Sequence, residues 1–581
     1  LLAVGIVLAA VSSSHVALAQ ADRGVVRSLE LRGGRAVALE ATVTSKVELT
    51  SRGELRFDAD AWRIDVGPLR AAVRIPVTIT VAPSAVAGAH ALDLGSRVRA
   101  AGTTMVTAPP DRSVLLVFAS RGVEVRAGPP WPLSLSADTR TAFVERAAEL
   151  PTPGGALLPG LAVGDTRAVG AELDSAMKTS SLSHLTAVSG ANCALVVGIA
   201  FALAAMLGAP RWARVVIGIV TLTAFVVLVT PEPSVVRAAA MATIAMLAVL
   251  LGRTGAGIGV LSLAVTVLLA ADPWLAASLG FALSAAATAG LLVLARPLAS
   301  SLSRWMPRGL ALALSVPLAA QLTCGPLLVL ISPQVPVYGV VANLLAAPTA
   351  PLATVVGLIA CLLAPLPWLA APFMWIAWLP AAWISATATT FAGLPAAVLP
   401  WAEGLGGAVA LAAAGGVFVW LLHRPRAPGR AHRGARRIAV VAVAMLLGVA
   451  GGAGLTRTVL APALLPADWV VAACDVGQGD AVLVRSGGQV ALIDVGPEAA
   501  PVTACLSRLG ITRIDLLVLT HFDLDHVGGI DAVMGRVGTV LHGPAVEASQ
   551  RRLIASLEAS GAVARETSAG EHGRIGGARW R

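Results

Sequence analysis

The sequence predicts a polytopic α-helical membrane protein with a small β-domain before the helices and an α/β domain after them. Three observations predict it. Of 581 residues, 56% are hydrophobic and 13% charged, with a mean hydropathy of +0.79, a balance that soluble chains rarely show. From Leu185 to about Leu455 the chain is a succession of apolar segments, each long enough to cross a bilayer as a helix. On either side the pattern changes to short Val- and Thr-rich runs separated by Gly, Pro and Ser, the signature of strands and tight turns.

Residues 1–21, LLAVGIVLAAVSSSHVALAQA, read as part of a transmembrane helix, because a signal peptide ending near Ala17-Leu18-Ala19 would carry a basic start that is not there. Residues 22–130 contain alternating stretches such as GRAVALEATVTS and LRAAVRIPVTITVA, which suggest a small β-barrel or sandwich. Residues 131–184 read as a linker with short amphipathic helices, broken by ELPTPGGALLPG. About ten spans follow within 185–457, near 186–208, 213–230, 235–252, 256–271, 274–295, 309–330, 338–363, 367–388, 404–422 and 438–456.

The formal charge of +10 is unevenly placed: 16 Lys/Arg against 6 Asp/Glu in residues 150–457, but 10 against 13 in 458–581. The excess therefore reports topology before any ligand. Alternating spans collect Arg211, Arg214, Arg253, Arg296, Arg304, Arg308 and the cluster Arg424 to Arg437 on one side, and leave Glu232, Asp272 and Glu403 on the other. The positive-inside rule puts the arginine side in the cytoplasm, so the β-domain and the terminal domain are expected outside the cytoplasmic membrane.

Two membrane stretches depart from plain helix. SLSHLTAVSGANCALVVG places His184, Ser189, Gly190 and Asn192 at the entry to a span, and PEPSVVRAAAMA puts Arg237 a turn inside another. Ionisable groups at membrane depth usually face a bundle interior or an aqueous path; snorkelling of Arg237 and interfacial solvation of His184 are the competing readings. Gln321 and Asn343 are candidates for interhelical hydrogen bonds. Five cysteines without a CxxC argue against a disulfide scaffold or structural zinc.

After the last span, WVVAACDVGQGDAVLVRSGGQVALIDVG reads as three short strands with Gly-rich turns. A buried strand, RIDLLVLT, then delivers His521, Asp523, Asp525 and His526. A strand that stops abruptly projects neighbouring side chains into one cleft. Imidazole and carboxylate together suit Zn or Mn, which polarise a water without redox chemistry. His542 and His572 read as surface-loop residues.

THFDLDHVGG resembles the metallo-β-lactamase signature H-x-H-x-D-H, with Asp523 where the second His would stand. The resemblance implies that His521 and Asp523 hold one metal and Asp525 and His526 another, that Asp525 is the catalytic carboxylate, and that Asp494 and Asp475 support the site. The extra carboxylate tilts the set toward Mn or Mg. Taken with DVGQGDAVLV, LIDVG, LSHLTAVSGANCALVVG, PSVVRAAAMA and LGFALSAAA, the chain resembles the ComEC family of competence DNA channels over nearly its whole length. That resemblance implies an external oligonucleotide-binding (OB-like) barrel, a membrane domain passing single-stranded DNA, and an outer nuclease-like domain that degrades the other strand. Its implied partners are DNA, the lipid bilayer, a DNA-receptor protein, a cytoplasmic DNA translocase and further copies of the chain. Trp62 is the obvious stacking aromatic of the β-domain. A complete metallo-β-lactamase fold needs a second half with a further His and a bridging Asp, so the terminal domain is expected to be truncated and the chain a fragment. Two other readings stay open: a secondary transporter with an external hydrolase, and a catalytically inactive domain that guides DNA.

Overall fold

The computed structural model describes residues 12–14, 16–17, 23–24, 26, 36–50, 53–67, 69–107, 111–186, 190–230, 233–250, 257–422, 468–568 and 570–581. The first apolar segment as a helix, Ser189, Glu232, Arg253, the arginine cluster from 424 and the span at 438–456 lie outside these residues. The chain divides into two compact units, Leu1–Ala444 and Met445–Arg581.

The first unit opens with strands β1 (Ala36–Val43), β2 (Glu48–Leu49), β3 (Leu55–Val66), β4 (Leu69–Val81), β5 (Val86–Ala87), β6 (Arg97–Val106), β7 (Leu115–Phe118) and β8 (Val123–Ala127). Five of them close into a ring in the order β1-β3-β4-β7-β6-β1. All neighbours in the ring are antiparallel except β4 and β7. Alternation fills the interior: Val37, Leu39, Ala41 and Val43 of β1 are buried, as period-two side chains require. In β3 the buried set runs Phe57, Ala59, Ala61 and then Ile64 and Val66. The change of phase falls where the pairing with β4 shifts register, between Ala61 and Arg63. This bulge leaves Trp62 facing out at 46% exposure.

Helices α1 (Trp131–Ala147), α2 (Gly154–Val163) and α3 (Ala171–Thr179) follow. ELPTPGGALLPG breaks the chain only in its first part, between Ala147 and Gly154; the rest is not a break. Gly154–Val163 is helical and nine of its ten residues are buried. The glycines allow close approach: a Cβ on Gly154 would lie 2.9 Å from Ala382, and one on Gly357 would lie 2.8 Å from Ala162. The helix is held by Thr354 donating to the Leu161 carbonyl (3.0 Å).

The apolar helices among the described residues are α4 (Gly190–Met206), α5 (Arg211–Val229), α6 (Pro233–Leu250), α7 (Gly257–Ala271), α8 (Leu279–Leu302), α9 (Arg308–Leu328), α10 (Gly339–Ala346), α11 (Ala350–Leu362), α12 (Pro367–Ala392) and α13 (Gly404–Leu422). Five of them, α5, α8, α9, α12 and α13, are individually long and apolar enough to cross a membrane. Helices α10 and α11 form a pair bent by 46° that together would make a sixth. Short strands β9 (Gln334–Pro336) and β10 (Val398–Pro400) pair between the helices. Asn343 donates to the Ser181 carbonyl (3.1 Å) and so ties α10 to the linker.

Charged side chains fasten the β-ring to the helices. Arg140 of α1 donates to the Leu228 carbonyl (2.7 Å) and to Asp93 (2.7 Å). Lys46 donates to the Gly164 carbonyl, and Arg112 pairs with Asp272 at 3.1 Å. Leu228 and Arg211 sit at opposite ends of α5, about 26 Å apart at 1.5 Å per residue. The ring therefore meets the helix ends away from the Arg211 turn.

The second unit is a six-stranded sheet in the order β11-β12-β13-β14-β15-β16. Its elements run β11 (Val471–Ala473), β12 (Val482–Ser486), β13 (Gln489–Ile493), α14 (Ala499–Arg508), β14 (Ile514–Leu519), α15 (Leu524–Val527), β15 (Val537–His542), α16 (Ala548–Ala559) and β16 (Val563–Glu566), with a separate hairpin β17 (Gly573–Ile575) and β18 (Ala578–Trp580). Strands β13 to β16 are parallel. One sheet face carries Leu483, Leu492, Leu517 and Val540, packed with Val502 and Leu506 of α14 and Leu557 of α16. The opposite face carries the cross-strand rows Val484, Ala491, Leu516, Thr539 and Val482, Ile493, Val518, Leu541. Most of these side chains are only half-buried.

Two expectations change in this unit. Cys474 and Cys505 are joined in a disulfide with Cα atoms 5.8 Å apart, which spacing alone could not reveal because 31 residues separate them. His542, expected in a surface loop, is 6% exposed because it closes the buried end of β15.

Candidate metal centre

The site forms where β13 and β14 end side by side. Parallel pairing matches Ile493 with Val518, so the next residues, Asp494 and the loop from Thr520, leave the sheet together. Asp494 has φ +56° and is 2% exposed. Its carboxylate accepts from the Thr520 N–H (2.8 Å) and the Thr520 hydroxyl (2.6 Å). The same carboxylate meets His526 Nδ1 at 2.8 Å. A buried carboxylate needs such partners to remain ionised.

That contact sets the imidazole. Asp494 at Nδ1 holds the His526 pKa above its ordinary value; desolvation opposes this, and the charges of Asp494, Asp525 and Asp480 add to it. With Nδ1 occupied, Nε2 faces the other side, 3.8 Å from Asp525. The rings of His521 and His526 lie 3.8 Å apart between centroids. His521 Nδ1 is oriented by the Thr520 hydroxyl at 3.0 Å.

Two groups of side chains bring ligand atoms within 4.8 Å of one another: His521, Asp525 and His526, and Asp480, Asp494 and His526. Imidazole with carboxylate suits a divalent cation, and a carboxylate behind the ligating histidine is the usual support for one. Asp523 is in neither group; its side chain is 79% exposed and lies 3.6 Å from His521. Its backbone carbonyl instead starts α15, accepting from the N–H groups of His526 and Val527. Asp475 is also in neither group and is exposed.

Asp480 was not singled out from the sequence. A loop closure brings it in: Gly479 has φ +101°, and a Cβ there would lie 1.9 Å from the Asp525 carbonyl. Gly496 N–H donates to the Asp480 carbonyl at 2.9 Å. Gly529 has the same function on the far side, since a Cβ there would lie 2.1 Å from the Val495 carbonyl. The GQGD spacing was the available signal: glycines that permit backbone contact, followed by a carboxylate.

In the first unit, His184 lies in the turn Ser183–Leu185 and is exposed. Asn192 lies in the first turn of α4, and Arg237 is 5% exposed on α6.

Comparison with known proteins agrees with this division. Residues 161–426 match the family model described as Competence protein, and residues 474–556 match that of the metallo-beta-lactamase superfamily. The chain is similar to the Competence protein ComA of Neisseria gonorrhoeae, 47% identical over 62 residues, which is 10% of this chain and 9% of that relative. No solved structure matches.

Proposed function

From a chain that joins a competence-protein domain of the ComEC family to a metallo-beta-lactamase domain, we propose a channel that takes single-stranded DNA across the cytoplasmic membrane during transformation. On this reading the terminal unit hydrolyses phosphodiesters of the strand left outside. The observation that carries it is the pairing of a competence domain, whose helices enclose a buried arginine, with clustered histidines and carboxylates in one chain.

Three further features support the parts. The ring order β1-β3-β4-β7-β6-β1 suits an oligonucleotide-binding barrel, and exposed Trp62 offers a base-stacking surface. The ring meets helix ends remote from Arg211, which favours an outer position under the positive-inside rule. The Cys474–Cys505 bridge suits an oxidising compartment, which favours the same side for the terminal unit.

At the metal centre, His521, Asp525 and His526 would hold a divalent cation, with Mn or Zn the fitting choices. Such a cation supplies a water of lowered pKa and neutralises charge developing on the phosphate. Asp494 keeps the His526 tautomer with Nε2 presented. Asp480 lies beside the same ring and adds negative charge there.

Transformation frequency tests the reading in a competent host lacking its own channel. Arg237→Ala is expected to abolish uptake, and Asp525→Ala to abolish degradation of the outer strand by purified protein. A small-solute transporter would restore no DNA uptake in that host even as wild type. A protease-sensitive tag after Arg581 that is cut only from inside the cell would defeat the outer placement.

A further inference from the structure

Arg237 is the fifth residue of α6, about 6 Å from its start. At 5% exposure its side chain does not run along a lipid-facing surface, so snorkelling does not account for it. Among the described residues its one hydrogen bond goes from Nη2 to the Gly280 carbonyl at 3.1 Å, and Nε is buried with no partner there. Among the described residues no carboxylate pairs with it. An unpaired guanidinium in a low-dielectric bundle is costly, and an orphaned donor adds to the cost.

The helices around it share a direction. A Cβ on Gly190, the first residue of α4, would lie 3.5 Å from Ala238, the neighbour of Arg237. Gly280, the acceptor, is in the first turn of α8, where Ser278 caps the Phe281 N–H at 3.3 Å. The N-terminal end of α8 thus meets the guanidinium of Arg237, in the second turn of α6, and the start of α4 packs on the adjacent Ala238. Helix N-termini carry partial positive charge and attract oxyanions. Here the cation, the α8 N-terminus and the unused Nε–H all call for negative charge.

We infer that Arg237 is an anion-binding position whose ligand is a backbone phosphate of single-stranded DNA. The inference rests on the channel reading above and names the contact through which that channel holds its cargo. A phosphodiester presents paired oxygens that a guanidinium edge can engage. A single such contact is weak enough to be broken and remade as the strand advances.

The test uses the full chain in phosphatidylcholine nanodiscs and a fluorescent oligothymidylate, with affinity measured across a salt series. Arg237→Gln is expected to weaken binding about tenfold and to flatten the log affinity against log salt slope by about 0.7, the contribution of one single-strand phosphate. Arg237→Lys should retain the slope. An oligothymidylate with uncharged methylphosphonate linkages should bind wild type and Arg237→Gln alike, a comparison that alters the ligand and leaves the fold untouched. Wild-type affinity and slope in Arg237→Gln would overturn the phosphate contact while leaving the channel reading intact. No salt-dependent binding by wild type would overturn the channel reading itself. Retention of phosphatidylglycerol by wild type but not Arg237→Gln, with equal DNA binding, would assign the position to a lipid headgroup and overturn DNA as the occupant.

Discussion

Asp494 links the two halves of the metal centre at the scale of one side chain. It accepts from Thr520 twice and from His526 once while almost fully buried. Asp494→Ala leaves those donors unmatched, and the expected loss is about 3 kcal/mol, measured by urea unfolding. The same variant should bind Mn or Zn about 10- to 100-fold more weakly by calorimetry. The pH dependence has a definite sign. His526 has a folded pKa above its ordinary 6.5, so its contribution is complete below that value and is lost as pH rises through the folded pKa. In chelator, the melting temperature should fall over that interval, and Asp494→Asn should flatten the fall. His521, Asp525 and His526 stand out in the sequence because ligand types crowd the end of an apolar strand, whereas Asp494 entered with Asp475 through the family resemblance, and of these two only Asp494 lies in the cluster. Asp480 does not stand out, because a positive-φ glycine rather than strand order carries it in. The resemblance makes Asp523 a ligand, whereas its side chain is exposed at the start of α15 and lies outside both clusters.

Between elements, fastenings that hydropathy does not record decide the arrangement. The apolar helices were visible as long runs without charge, because a bilayer demands that composition. Helix α2 was hidden, since Gly and Pro usually end helices; here glycine instead admits α11 and α12 at close range. Arg140 is the chief fastening of the β-ring. Arg140→Ala should cost about 2–4 kcal/mol, as it takes the guanidinium from Asp93 and leaves the Leu228 carbonyl only the longer Ser136 contact. Faster hydrogen exchange in the 89–97 segment beside Asp93 would report it. The Cys474–Cys505 bridge closes a 31-residue separation, for which loop entropy gives about 3–4 kcal/mol. Cys505→Ser should lower the urea midpoint of the terminal unit accordingly, and reductant should lower it in wild type alone.

Across the whole molecule, the order of a β-ring, apolar helices and an α/β sheet follows the order in which composition changes along the sequence. The alternation left barrel and sandwich open, because choosing between them depends on pairing β1 with β6 across more than fifty residues of intervening chain. The terminal sheet has one further property. The rows opposite α14 and α16, Val482, Val484, Ile493, Leu516 and Val518 among them, are apolar and only half-buried, a surface that water wets poorly. Produced alone, residues 468–581 should therefore stick to one another: light scattering should grow with concentration, and Leu516→Thr with Val518→Thr should keep the solution clear. Handling this fifth of the molecule is thus first a problem of colloids.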